Sequence, residues 1–292
     1  MDWLLVNLAS RSGRVQSQLD GVRSQFKAHG VEVAEKAAST MPELQDIALK
    51  AVQSGADRLW VLGGDGTLAA AATHLCYSPT VLCALPGGTA NVFCREMAIP
   101  LDAPAAVPAL LSGRLMTIDV GEVDGIKFLL MASVGLDAQA VRDVNVGLKQ
   151  RVGPLAYVIE GVRKLFSFGS PRLTVTDEHD IEHHGYHVAV QNARLYGGSI
   201  EMAPKAKLDD GRFDVVLLKK PGRLAILRFL WAAAAGRHVR LPHVEYFRSH
   251  SVRIHSATEL SLQADGDCLT KLPATVSILP RALKVQSARS QA

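Results

Sequence analysis

Cysteine is sparse in this 292-residue sequence, and its placement binds nothing obvious. Cys76, Cys83, Cys94 and Cys268 show no C-x-x-C spacing. That argues against a zinc site and leaves reduced cytosolic thiols as the expectation. Long apolar runs are missing too. The best, LAILRFLWAAAAG from Leu224 to Gly236, falls short of the ~20 residues a membrane span needs and contains Arg228. It reads as a core or interfacial helix. The opening MDWLLVNLASRSG has no basic start and too short an apolar stretch for a signal peptide. No basic stripe interleaves with aromatics, so nucleic acid is not an expected partner. There is no internal repeat and no low-complexity segment, and the tail ARSQA is expected to fray.

Hydrophobic residues, by contrast, make up 48% of the chain and charged residues 21%, which predicts a packed core in two domains or one large one. The net charge of +4 is uneven. Residues 1–120 carry 9 Lys and Arg against 11 Asp and Glu, a balance of −2; residues 121–292 carry 23 against 17, a balance of +6. A basic second half suits an anionic membrane surface, although a scattered solvated surface accounts for it equally.

Residues 1–100 alternate strand and helix patterns. WLLVNL, VEVAE, RLWVL and TVLCAL read as strands. Val15, Leu19, Val22 and Phe26 recur at helical spacing, with Gly30 suited to end that helix. Thr40 and Glu43 form a capping box ahead of Leu44, Ile47, Ala48, Ala51 and Val52 on one helical face. Strands separated by helices predict a mostly parallel sheet. Near residue 115 the pattern changes to short strands (LMTIDVGEV, KFLLMASVG, PRLTVTD, YHVAVQNA, FDVVLLK, SVRIHS, ELSLQADGD, TVSILP). Helical stretches interrupt them at about residues 137–166 and 221–237, and the whole predicts a mainly antiparallel β domain.

Two glycine turns follow neighbouring predicted strands: GGDGT at Gly63–Thr67 and PGGTAN at Pro86–Asn91. Gly64, Gly66 and Ala69 fit a dinucleotide fingerprint formally. The acidic residue expected about twenty positions on, at the end of the next strand, is absent. No lysine follows, so this is not a P-loop. A purely structural turn stays open. The second turn favours a ligand, because ligands of parallel sheets bind beyond the carboxyl ends of strands. Each turn is expected to open a helix, so that backbone N–H groups and two helix N-termini converge on phosphates. Asp65 either acts through Mg²⁺ or holds the loop by accepting backbone hydrogen bonds.

At this point the chain resembles the bacterial diacylglycerol kinase-like lipid kinases, a branch of the superfamily that also holds NAD kinases and sphingosine kinases. NLASRSG resembles the family's N-P-x-S-G opening and GGDGT is its hallmark. LPGGTANVFCREMAIP, SVGLDAQAV, QNARLYGGSIEMAPKAKLDDGRFDVVLL, ADGD and VSILPRALKV follow in the family's order.

The resemblance implies an N-terminal α/β domain at residues 1–119, with residues 277–288 packing back on it. A β-sandwich lipid-substrate domain at 120–276 follows, with the active site in the cleft between the two. It further implies that Gly63, Gly64, Asp65, Gly66, Thr67, Gly88, Thr89 and Asn91 hold ATP, that Asn7, Ser10 and Gly13 close over it, and that Asp265 belongs to the same site. Asp267 stands where the family has its proposed general base, a glutamate. Asp137 matches an acid near the transfer site, and Asp210 one linked to a metal and water network. As bare residues, Asp137 equally suits a helix N-cap and Asp210 a turn.

The implied activity is transfer of the ATP γ-phosphoryl group, with Mg²⁺, to a lipid alcohol such as diacylglycerol. The enzyme would be cytoplasmic and rest peripherally on anionic membrane; a homodimer stays open. Three departures stand out: Asp267 for glutamate, Val92 for an aspartate, and Ala69-Ala70 where Asn-Glu is frequent. They keep a catalytically weak nucleotide- or lipid-binding protein open. An NAD kinase-like enzyme is a further alternative, although the G-x-L-G-F-L-type segment of NAD kinases is missing.

Overall fold

The computed structural model describes residues 1–10, 14–135 and 171–288. The chain divides into two compact units, Met1–Val120 with the chain from Arg281 on, and Gly121–Pro280.

The first unit alternates β1 (Asp2–Asn7), α1 (Arg14–Ala28), β2 (Val33–Ala38), α2 (Met41–Gln53), β3 (Arg58–Gly63), α3 (Asp65–Leu75) and β4 (Val81–Pro86). The short α4 (Val92–Glu96) and α5 (Ala103–Leu111) follow. The strands lie in the order β2-β1-β3-β4, all parallel. Leu4 to Val6 and Leu59 to Leu62 are fully buried, as strands of a parallel sheet covered on both faces must be. On α1, Val15, Leu19, Val22 and Phe26 form the buried stripe, and Gly30 leaves the helix at φ +66°. Phe26 meets Trp60 edge-on at 5.0 Å between ring centroids, and the Trp60 indole donates to Asp2 Oδ2 at 2.9 Å. The Thr40–Glu43 capping box opens α2.

The second unit is antiparallel. β5 (Arg114–Val123) runs into it from the first. β6 (Ile126–Phe128), β7 (Met131–Val134), β8 (Leu173–Thr176), β9 (Glu182–Gly185), β10 (His187–Gln191), β11 (Leu195–Tyr196), β12 (Ile200–Glu201) and β13 (Phe213–Leu218) come next. After α6 (Arg223–Ala234) come β14 (Val244–Ser249), β15 (Ser251–Ser256), β16 (Ser261–Ala264), β17 (Asp267–Lys271) and β18 (Ala274–Ser287). One sheet runs β14-β13-β10-β7-β16-β17. Its partner layer in this unit contains the opening of β18, then β15, β8 and β9. Apolar side chains of both, among them Val134, Val175, Val190, Phe213, Val252 and Leu262, share one core. Phe128 stacks on Phe213 at 5.9 Å. The last part of β18 belongs to the first unit, where Val285 lies opposite Leu82 in parallel register.

The predicted fold class, a parallel α/β unit followed by an antiparallel β-sandwich, is the one observed. KFLLMASVG, however, is two strands rather than one. The Asp265 carboxylate accepts from Leu129 N (2.6 Å), Leu130 N (3.0 Å) and Met131 N (3.0 Å), and three adjacent N–H groups turned to one acceptor cannot continue a ladder. The helical stretch expected at 137–166 lies outside the described residues.

Candidate functional site

The two glycine turns leave the carboxyl ends of β3 and β4, which are neighbours in parallel register from Arg58–Val81 to Gly63–Pro86. They press against each other. Gly87 N donates to Gly63 O at 2.7 Å. A Cβ on Gly88 would lie 2.6 Å from Gly64 Cα, and one on Gly87 would lie 2.7 Å from Val15 Cγ2 and 3.0 Å from Gly63 Cα. Glycine is therefore required by close backbone approach, and neither turn needs a positive φ for it. Gly87 escaped the sequence reading; the doublet in PGG was its signal.

Side chains then fix the paired loops. Asn91, at φ +46°, accepts from Gly88 N (2.8 Å) and donates to Gly88 O (3.0 Å). Asn7 donates to Thr67 Oγ1 at 2.7 Å while its own Oδ1 accepts from Ala9 N at 2.9 Å. Ser10 donates to Gly87 O at 2.6 Å. The opening segment is thus tied to both turns. Gly13 lies outside the described residues. Thr67 is buried, whereas Thr89 is exposed.

Asp65 sits at the first residue of α3, and its carboxylate spans to α4. Oδ1 accepts from Phe93 N at 2.9 Å and Oδ2 from Val92 N at 3.1 Å. Of its two sequence readings, the loop-holding one is realised. Burial raises the carboxyl pKa above the ordinary aspartate value, against the pull of those N–H groups.

This corrects the expectation that two helix N-termini converge on phosphates. The α4 terminus is filled by Asp65, because buried N–H groups of a five-residue helix need an acceptor and the carboxylate supplies one. The 11-residue α3 differs. Its N-cap is Gly64, which offers no side-chain cap. One helix N-terminus, framed by two glycine turns and without an N-cap side-chain bond, remains suited to an anion.

In the second unit, Asp265 and Asp267 have opposite surroundings. Asp265 (φ +48°) and Gly266 (φ +90°) are the central residues of the β16–β17 hairpin, closed by the Ala264–Asp267 pair. Two successive positive φ values make it a type I′ turn, for which Asp-Gly is a favoured sequence. Both Asp265 oxygens are consumed by the three N–H groups that lead into β7 and open it. Asp267, the first residue of β17, is exposed, and among the described residues its carboxylate has no hydrogen-bond or ion-pair partner. Asp210 accepts from Arg212 N at 3.2 Å and pairs with Arg248, so its turn reading has observed partners. Near it, Asp214 is fully buried and accepts from the Tyr246 hydroxyl at 2.6 Å; burial raises the pKa of both groups. Among the described residues no three His, Cys, Asp or Glu side chains converge as a metal centre. Asp137 lies outside the described residues.

A parallel α/β unit with paired glycine turns at its strand ends, followed by an antiparallel β-sandwich, is the class of protein the structure defines. Residues 3–123 match the family described as diacylglycerol kinase catalytic domain, and residues 131–287 the YegS C-terminal NAD kinase beta sandwich-like domain. The chain belongs to the diacylglycerol kinase-like lipid kinase family. It is 27% identical to a diacylglycerol kinase of Staphylococcus saprophyticus, covering 97% of this chain and 93% of that one. A Staphylococcus aureus diacylglycerol kinase is 28% identical, with 97% and 90% covered. Two Bacillus anthracis crystal structures share the fold. One has TM-score 0.83 at 19% identity, covering 98% of this chain and 94% of that one. The other, of a diacylglycerol kinase, has TM-score 0.74 at 18% identity, with 98% and 96% covered.

The glycine contact yields one prediction at once. Gly88→Ala drives a Cβ into the Gly64 backbone, which no rotamer change relieves, so the turns must part. We expect a loss of about 1–3 kcal/mol in stability of the first unit, read by urea unfolding through the fluorescence of buried Trp60. Nucleotide binding should weaken with it. Parent-like stability and affinity would show that the turns tolerate separation.

Proposed function

We propose that the chain transfers the γ-phosphoryl group of ATP to the hydroxyl of a lipid such as diacylglycerol. The observation that carries this is the pair of glycine turns packed backbone to backbone in front of the uncapped α3 N-terminus. Such a cradle admits phosphates close to N–H groups and repels nothing by side-chain bulk. In this reading Gly63, Gly64, Gly66, Gly88 and Thr89 receive the phosphates. Asn7, Ser10, Thr67 and Asn91 hold the cradle in shape. Asp65 braces it against α4.

Phosphoryl transfer depends on positioning and charge neutralisation. With Asp65 and Asp210 engaged as described, the described residues do not build a resident metal centre, and Mg²⁺ enters as the counter-ion of the nucleotide. Asp267 is the proposed base for the acceptor hydroxyl, since its carboxylate is the one of the ADGD pair without a partner. The names of the relatives support the lipid acceptor, and the +6 balance of residues 121–292 suits a cytoplasmic enzyme visiting anionic membrane.

Incubation with γ-labelled ATP, Mg²⁺ and a total lipid extract tests the reading. A labelled lipid phosphate is the expected product, with diacylglycerol as the first acceptor to try in pure form. Nucleotide binding without any labelled lipid would reduce the chain to a binding protein, and label on NAD in a parallel incubation supplied with it would move it to the NAD kinases.

A further inference from the structure

On the second unit, α6 is apolar on two faces. Ala225, Ile226, Phe229 and Ala233 are buried. Leu224 is nevertheless 82% exposed and Trp231 78%, with Leu227 and Leu230 also open to solvent. At about 100° per residue these four fall within about 120° of arc, opposite the buried stripe. Large exposed apolar side chains gathered on one stripe mark a surface that is covered in use.

The charge around the helix tells what covers it. From Asp214 to Glu245 the intervening chain has no acid and six cations: Lys219, Lys220, Arg223, Arg228, Arg237 and Arg240. All six are exposed. Lys219 is drawn to Glu245 at 3.1 Å. Burial, and then the nearby charges of Arg228 and Lys220, lower the pKa of His243, so both cations lie near that imidazole. A second copy of the chain is a poor partner, because a twofold contact would set this cationic surface against itself. An anionic bilayer satisfies both properties at once. Leucine and tryptophan enter the headgroup and upper acyl region, and long basic side chains reach lipid phosphates from the flanks.

We propose that the Leu224–Leu227–Leu230–Trp231 ridge of α6, flanked by Lys220, Arg228 and Arg237, is the surface by which the protein docks on anionic membrane. This deepens the lipid kinase reading, since it would deliver the enzyme to an acceptor that stays in the bilayer. It involves none of the residues assigned to the phosphate cradle or to proton transfer.

The test uses the full chain with phosphatidylcholine vesicles, with and without phosphatidylglycerol. We expect co-sedimentation with the anionic vesicles, weakening as salt rises. Brominated acyl chains should quench tryptophan fluorescence in the parent. Trp231→Phe should still bind but lose that quenching, because Trp60 is buried and Trp3 is half-buried beneath Lys36. Leu224→Ser with Trp231→Ser should cut partitioning roughly 100-fold. Both side chains are exposed, so thermal unfolding should stay parental.

Parental vesicle binding by the double serine variant, or unchanged quenching in Trp231→Phe, would overturn the proposal. So would a parent dimer that the serine substitutions dissociate. Phosphorylation of detergent-dispersed diacylglycerol keeps the two readings apart. Activity there without vesicle binding sinks the docking surface alone, whereas vesicle binding without activity sinks the kinase reading alone.

Discussion

Asp65→Ala should abolish phosphoryl transfer and, in the same variant, loosen the first unit. Both effects follow from one geometry. The carboxylate holds Val92 N and Phe93 N, so its removal leaves two largely buried donors without an acceptor. Each costs about 1–3 kcal/mol, and water entering the gap returns part of that. A net loss of about 2–4 kcal/mol is expected in urea unfolding followed at Trp60. Asp65→Asn should recover only a fraction, since an amide presents one acceptor oxygen and turns an NH₂ group toward the other N–H.

Turnover should fall further than stability alone explains. Asp65 ties α4 to the start of α3, beside the Gly87–Gly63 bond that joins the turns, and phosphates held by backbone groups tolerate little displacement. The measurement is turnover on detergent-dispersed diacylglycerol, below the temperature at which the variant begins to melt. Activity within ten-fold of the parent in a destabilised but folded variant would mean that Asp65 is a brace with no hold on catalysis.

The site was legible in the sequence as two motifs and illegible as one object. GGDGT and PGGTAN announced themselves by glycine after apolar strands. Their contact did not, because it depends on β3 and β4 being neighbours and on a backbone approach too close for a Cβ on Gly88, which no local pattern encodes. Asp65 was readable as ligand or brace, and only the position of α4 reveals the brace.

The fold shows the same division. Capping at Thr40 and the stripe of α1 are local signals and were readable. The helix α5, APAAVPALL, was not, since Pro104 and Pro108 break the usual reading even though Pro104 sits near the start, where proline is tolerated. The edge strand β9, EHHG, buries only Gly185 and has no apolar alternation to detect. The Asp265 turn cuts KFLLMASVG from more than a hundred residues away.

That long-range grip separates the two aspartates of ADGD, and the separation can be measured. Asp265→Ala should behave as a folding defect, because three N–H groups lose their acceptor together. Asp267→Ala should behave as a chemical one. Its side chain is exposed and free of partners among the described residues, and surface substitutions of that kind usually move stability by no more than about 0.5 kcal/mol. If Asp267 takes the proton of the attacking hydroxyl, kcat should fall by about 10²–10⁴-fold, the usual contribution of a placed general base, while ATP affinity holds within a few-fold. Asp267→Asn keeps the shape but accepts no proton, and should match the alanine variant. Asp267→Glu adds roughly 1.5 Å of reach, one carbon–carbon bond, and restores the side chain that the resembling kinases use. It should keep measurable turnover, so the order of activities should be aspartate and glutamate above asparagine and alanine. That order cannot arise from hairpin stability, because asparagine matches the parent aspartate in shape and in strand preference. An asparagine variant that turns over like the parent would leave Asp267 a turn residue and pass the search for the base to Asp137.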